Sequence, residues 1–184
     1  MGLSFDTLRS DLEGDLLDSA FDRGLYATDA SIYQMMPHAV ILPKSVSDIQ
    51  KTIAFARDRD LKILPRGAGT SQNGQTVNNA IVLDNSKYFN RLLSLDVQNN
   101  RCTVEPGIVL DELNRALKPH GLWFPVDVST SSRATIGGMA GNNSAGGRSI
   151  RYGIMRDNVQ SIKAILSDGR EATFDLVQKD TKGL

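Results

Sequence analysis

The chain has one cysteine, Cys102, in 184 residues, so no disulfide can close within it. That excludes a disulfide-stapled secreted scaffold and fits a reducing compartment. No charge of either sign is in excess: Lys+Arg and Asp+Glu both number 21, and the formal net charge is zero. Nothing in that balance advertises a nucleic-acid partner or an anionic membrane. Long apolar runs are missing too; none approaches the roughly 20 residues of a spanning helix. The opening "MGLSFDTLRSDLEGDLLD" is acidic and lacks the charged-then-apolar layout of a signal peptide. These absences give the expectation of a cytoplasmic protein with no integral membrane segment, with peripheral attachment to the inner face of the membrane left open. Histidines are few, His38 and His120, and no acid–base partner stands beside either in sequence, so both are read as structural.

What is present is an ordinary globular composition, 40% hydrophobic and 23% charged. Residues 4–25 read as a helical lead-in, with Leu8, Leu12, Leu16 and Leu17 near helical spacing. "HAVILP" (38–43) reads as a buried strand. "SVSDIQKTIAFARDRD" (45–60) reads as a helix capped by Ser45, with Val46, Ile49, Ile53 and Ala56 on one face. "LKILP" (61–65) is a second strand, so the three form a βαβ unit with parallel strands. "AIVLD" (80–84) is a third strand. Residues 91–107 read as two strands around Asn99-Asn100, and 109–121 as an amphipathic helix ended by Gly121. Residues 158–174 read as a hairpin turning at Asp168-Gly169. The pattern is α+β, with a small βαβ lobe first and a larger, mostly antiparallel lobe after it. The expected boundaries are 1–37 for the lead-in, 38–90 for the first lobe and 91–184 for the second.

Glycine is concentrated in two places. "RGAGTSQNGQTVNN" (66–79) follows a strand, but Gly74 lies five residues after Gly69 and a strand comes next. That spacing departs from the Rossmann fingerprint, and no Gly-Lys-Ser/Thr makes it a P-loop. It reads as a small-residue loop whose N–H groups and Thr70 and Ser71 hydroxyls form an anion-binding concavity. "RATIGGMAGNNSAGGRSIRYG" (133–153) holds six of the sixteen glycines. Its Ile136, Met139, Ile150 and Tyr152 argue against a solvated linker. A short helix near 135–145 whose small residues admit a flat, charged ligand is the better reading. Two such segments without Walker or Rossmann spacing suggest a large diphosphate cofactor held between two lobes.

"PRGAGTS", followed by "ATIGGMAGNNSAGGRSIRYG" and "DNVQSIKAILSDG", resembles the FAD-binding type 4, or PCMH-type, domain of the vanillyl-alcohol oxidase superfamily. Within it the chain is most similar to D-lactate dehydrogenases, the glycolate oxidase flavin subunit and FAD-linked oxidases fused to iron–sulfur domains. "LYATDASIYQ" (25–34) resembles the lead-in of those proteins. The resemblance implies a PCMH-type fold of two α/β lobes with FAD between them. It implies that Arg66, Gly67, Ala68, Gly69, Thr70 and Ser71, with Gly74 in the same loop, wrap the pyrophosphate. It implies that Asp127, Ala134 and Thr135 pass close to the flavin and ribityl chain. Gly138, Gly141, Asn142, Asn143, Ser144 and Gly146 would line the far side, and Tyr152, Gly153 and Val159 would finish the cradle.

Family members that attach FAD covalently often use a histidine in the first loop. Thr70 stands there in this chain, and the second motif has no cysteine, so the expectation is non-covalent FAD. Cys102 is read as an inert strand residue, and Trp123 and Phe124 as core. Arg133, Arg148, Arg151 and Arg156 are either a solvated basic edge or contacts to an anionic group. The family's closing segment and substrate or cap domain would follow Leu184, so the stretch is expected to be C-terminally truncated and to hold FAD weakly by itself. Catalytic residues are expected beyond it and none is named. The implied activity is oxidation of a D-2-hydroxy acid such as D-lactate or glycolate, with electrons passed to a quinone, a cytochrome or an iron–sulfur module; iron–sulfur clusters would sit in downstream domains. No metal site is expected. Two other readings stand beside it: an enolpyruvyl-UDP-N-acetylglucosamine reductase using FAD and NADPH, and a non-catalytic nucleotide-binding module.

Overall fold

A computed structural model describes residues 3–175. The lead-in is α1 (Asp6–Asp11), β1 (Asp15–Leu17) and α2 (Ala20–Leu25). β2 (Ala39–Leu42), α3 (Val46–Arg57), β3 (Ile63–Arg66) and β4 (Ile81–Asp84) follow. Then come β5 (Leu92–Asp96), β6 (Arg101–Val104), α4 (Leu110–Leu117) and a 3₁₀ turn at Lys118–His120. The chain continues through α5 (Ile136–Gly141), α6 (Ser149–Tyr152), α7 (Met155–Asn158), β7 (Ser161–Ile165) and β8 (Glu171–Asp175). Among the described residues no helix is long and apolar enough to cross a membrane.

The first sheet has the order β1-β2-β4-β3. β2 and β3 both run parallel to β4, while β1 is antiparallel to β2. β2 and β3 are thus parallel, as the βαβ pattern requires, but β4 lies between them. The two central strands, "AVIL" and "IVLD", are buried throughout, as strands covered on both faces must be. Their alternation sends Ala39, Ile41, Ile81 and Leu83 to one face, where they meet Phe5, Leu8, Phe55 and Ala56. Val40, Leu42 and Val82 go to the other, beneath Tyr26 and Tyr88. Ser45 caps α3 as expected, its Oγ accepting from the Asp48 N–H.

The expected helix over 4–25 is replaced by helix, strand and helix, and Leu16 and Leu17 belong to β1. The break occurs at Gly14, where a Cβ would lie 2.2 Å from the Leu42 carbonyl oxygen. The buried Asp48 carboxylate accepts from the Glu13, Gly14 and Lys44 N–H groups at 2.9, 3.0 and 2.9 Å. That anchors the turn and turns β1 onto the edge of β2.

A second core gathers Ile108, Leu110, Leu113, Leu117, Val126, Ile136, Met139 and Met155. β5 and β6 form a hairpin over its turn at 97–100, with Asn100 at φ 52°. Gly121 (φ 70°) ends the α4–3₁₀ run, and Gly169 (φ 85°) sits in the β7–β8 turn. The strands of this half are two separate antiparallel hairpins. A mostly apolar cavity of about 690 Å³ separates α3 from β7, bordered by Val46, Ile49, Ile53 and Ala164; Val46 is accordingly exposed.

Candidate functional site

The C-terminal ends of β3 and β4 open onto a cleft of about 760 Å³. In open α/β sheets this is where ligands collect. One wall is the loop that leaves β3, residues 66–71. The other is segment 127–130, α5 and the loop 144–147.

The two glycine motifs touch at the floor. Thr135 caps α5, its Oγ1 accepting from the Gly138 N–H. A Cβ on Gly67 would lie 2.3 Å from that Oγ1. Further out, Gln75 Nε2 donates to Asn142 Oδ1 at 3.1 Å, and the Ser71 hydroxyl is bonded to Gln75. The start of α5 is pinned beside that of α4: the Leu110 N–H donates to the Ala134 carbonyl and the Ile136 N–H to that of Ile108. The Gly137 N–H donates to the Pro106 carbonyl, and a Cβ at 137 would lie 2.5 Å from the Pro106 ring.

The glycines therefore divide by task. Gly67, Gly107, Gly137 and Gly146 are needed because protein atoms approach them; at Gly146 a Cβ would collide with the Asp127 carbonyl. Gly141 has no atom within 4 Å of its Cβ position and Gly138 only Thr135 Oγ1. Both face the cleft, as does Gly147, whose Cβ position meets only Asp127 Oδ2 at 3.9 Å.

The donor set is rich and nearly uncharged. Among the described residues, no acceptor takes the N–H groups of Ala68, Gly69, Thr70 and Ser71, or of Ala145 and Gly147 opposite. Unpaired N–H groups beside the Thr70, Ser71, Thr130 and Ser144 hydroxyls suit an anion with many oxygens. Arg66 and Asp127 are the charged residues of the lining. Arg66 is turned under its loop, donating from Nη1 to the Tyr26 and Thr76 carbonyls and from Nη2 to that of Thr28. Burial pulls its pKa below the usual guanidinium value. Asp127 Oδ1 accepts from the Arg148 N–H at 2.9 Å, tying 127 to the 146–148 loop.

Of the residues expected at the site, Gly67, Ala68, Gly69, Thr70, Ser71, Ala134, Thr135, Gly138, Gly141, Asn142, Ser144 and Gly146 line this cleft, with Arg66 and Asp127. Five lie outside the lining, each with a local task. Gly74 (φ 73°) rests on the Tyr33 ring. Asn143 takes a left-handed turn (φ 47°) and its Oδ1 accepts from the Arg156 N–H. Tyr152 meets Trp123 edge-on at 5.2 Å. Gly153 (φ 82°) packs on Asp157, and Val159 joins the second core. Trp123, expected in the core, is instead 41% exposed with Arg148 over its ring. Arg133, Arg148, Arg151 and Arg156 are all exposed and outside the lining. Cys102 packs beside the second core, and burial raises its thiol pKa.

The lining also includes Gln75 and Met139, which lie within the two motifs but were not singled out, and Asn85, Pro106 and Gly107, for which the sequence offered no site signal. Pro106-Gly107 marks a turn in sequence, but only the fold shows where that turn lands. The Gly107 N–H donates to the Phe89 carbonyl at 2.6 Å, which drives the corner against the end of β4.

Residues 37–175 match the family model described as FAD binding domain. The chain is 41% identical over 160 residues to D-2-hydroxyglutarate dehydrogenase of Haemophilus influenzae, covering 85% of this chain and 16% of that protein. It is 36% identical over 155 residues to glycolate oxidase subunit GlcD of Bacillus subtilis, covering 83% of this chain and 33% of that one. The chain thus spans a sixth to a third of the length of these relatives. Wild-type BBE-like 1 of Physcomitrella patens superposes with a TM-score of 0.80 at 18% identity, over 94% of this chain and 38% of that one. With a cleft lined by two apposed glycine motifs and a matching sequence over most of its length, the chain belongs to the FAD binding domain family.

Proposed function

We propose that this cleft holds FAD without a covalent link, in a protein that oxidises a D-2-hydroxy acid to the 2-oxo acid. The observation that carries the proposal is the pair of facing walls with unpaired N–H groups and almost no charge. Ala68–Ser71 on one side and Ala145 and Gly147 on the other would share the pyrophosphate oxygens. The cleft-facing Gly138 and Gly141 would let a long cofactor lie against α5. Among the described residues, no histidine or cysteine lines the cleft, which supports non-covalent retention. Residues 38–90 and 91–175 are the two halves of the holder in this reading, with residues 1–37 as their lead-in. Bound FAD supplies the two-electron acceptor for the hydride of the substrate α-carbon.

The substrate class follows the relatives' names, D-2-hydroxyglutarate dehydrogenase and glycolate oxidase subunit. D-2-hydroxyglutarate stands ahead of D-lactate and glycolate because the relative of that name has the higher identity. The electron acceptor would be a quinone, a cytochrome or an iron–sulfur module, and the protein would work in the cytoplasm or on the inner face of its membrane.

The test uses the full-length protein. It should purify with a flavin spectrum that denaturation releases as free FAD. Under anaerobic conditions D-2-hydroxyglutarate should bleach it faster than D-lactate or glycolate, and L-enantiomers should not. A colourless protein that takes up no added FAD would overturn the cofactor assignment. Bleaching by NADPH and by no hydroxy acid would overturn the reaction and point to the reductase reading.

A further inference from the structure

We infer that residues 26–33 are a strap that holds the first glycine loop in its ligand-ready shape, and that Arg66 is the pin of this strap rather than a phosphate ligand. The inference rests on the reading of the cleft as an FAD site. The strap lies ahead of residue 37, where the match to the family begins.

The loop leaves β3 at Arg66 and is open to the cleft on one side. Glycine-rich and short of side chains to pack, it has little of its own to hold one conformation. The strap supplies what it lacks. Arg66 reaches back beneath the loop and bonds three main-chain carbonyls. Two belong to the strap, Tyr26 at 3.1 Å and Thr28 at 2.8 Å, and one to the far end of the loop, Thr76 at 2.9 Å. Its guanidinium also stands 5.2 Å from the centre of the Tyr26 ring. The Tyr26 hydroxyl in turn donates to the buried Asp84 at the end of β4.

Four further contacts run from strap to loop. The Ala30 N–H donates to the Gly69 carbonyl at 3.1 Å. Asp29 Oδ2 accepts from the Thr76 hydroxyl at 2.9 Å and from the Thr76 N–H at 3.4 Å. The Tyr33 ring fills the space where Gly74 has no Cβ. Gly69 lies directly over the pin: a Cβ there would be 2.5 Å from Arg66 Nη2. The loop is thus fixed at its start, middle and end by one preceding segment. Its outward N–H groups, those of 68–71, are the ones left without acceptors.

This arrangement decides what Arg66 can do. Both Nη1 hydrogens and one on Nη2 are already directed at main-chain carbonyls. A guanidinium fork can bond three carbonyls at once, whereas an ammonium cannot match that geometry. Charge alone would not replace it. When the strap is weakened, the loop samples other shapes, and affinity falls by the fraction of molecules still competent.

The test measures equilibrium binding of FAD and of ADP to the full-length protein stripped of flavin. Asp29→Ala, which touches no ligand, should weaken both by about tenfold if a tenth of the molecules keep the competent loop. Arg66→Lys should weaken both as much as Arg66→Ala does. Hydrogen exchange of flavin-free Asp29→Ala should speed up at Ala30 and Val77, whose N–H groups donate to the Gly69 and Gly74 carbonyls, and not in β2 or β4. Retention of affinity by Arg66→Lys but not by Arg66→Ala would make Arg66 a phosphate ligand and overturn the pin. Wild-type affinity and exchange in Asp29→Ala would overturn the strap. Should the wild type bind neither FAD nor ADP, the cofactor reading fails, and exchange at Ala30 and Val77 still decides whether the strap orders the loop.

Discussion

At the scale of single residues, glycine is where the two motifs can be told apart by experiment. Gly67 meets Thr135 Oγ1, so Gly67→Ala must push the two walls apart. Overpacking of this kind costs about 1–3 kcal/mol. Thr135→Ala alone should cost about 1 kcal/mol through the lost cap of α5. Because the second change removes the atom the first collides with, the double variant should be more stable than the sum of the two costs allows. Strict additivity in urea melts would show that the walls do not meet at this point. Gly141→Ala is the contrasting case. It has a free Cβ position and no positive φ, so the melting midpoint should stay level or rise slightly. It faces the cleft, so FAD affinity should fall. An unchanged FAD affinity in Gly141→Ala would remove α5 from the binding surface.

Elements show how far the sequence could be read. Strands at 39–42 and 81–84, the Ser45-capped helix and both hairpins were legible because each carries its signal locally: an apolar run, a cap, a turn residue. The lead-in was not, because its leucine spacing suits a helix while a distant residue breaks it. Asp48, from α3, captures the N–H groups at 13 and 14 and makes β1 possible. No window around residue 14 contains that information. Removing the carboxylate leaves several inward N–H groups unpaired, so Asp48→Ala should destabilise the fold by roughly 2–4 kcal/mol. Burial works against the charge of Asp48, but the N–H groups of Glu13, Lys44, Gly14 and Ser45 outweigh it and hold its pKa below the ordinary value. A folded pKa depressed in this way gives stability that is present above the ordinary carboxylate pKa near 4 and lost as pH falls toward the lower, folded value. Asp48→Asn should therefore be weaker than wild type at pH 7, with the gap narrowing toward pH 3. A gap that stays constant between those two pH values would mean that the Asp48 charge contributes nothing.

For the whole molecule, the two cores are built from separate stretches, residues 5–88 and 92–159. The site lies where they meet. The sequence revealed both glycine motifs because each is dense and local. It could not reveal Asn85 or Pro106, which reach the cleft only once β4, the 85–89 turn and the 106–107 corner are packed together. Direct contacts across the cleft are small: Gly67 on Thr135, and the exposed Gln75–Asn142 hydrogen bond. The halves also meet where the Gly107 N–H donates to the Phe89 carbonyl and Gln50 Nε2 to that of Gly169, and a ligand bonded to both walls would add to this coupling. A ligand that binds only the folded state stabilises it by RT ln(1 + [L]/Kd), about 2.7 kcal/mol at 100 Kd. If FAD spans the cleft, that stabilisation must reach both cores. The slowest-exchanging amides of β2 and β4 and those of α4 should then slow together in the full-length protein, each by about 100-fold at that concentration. Protection confined to the first sheet would mean that the loop at 66–71 carries the cofactor alone, and that the second glycine motif serves the fold rather than the ligand.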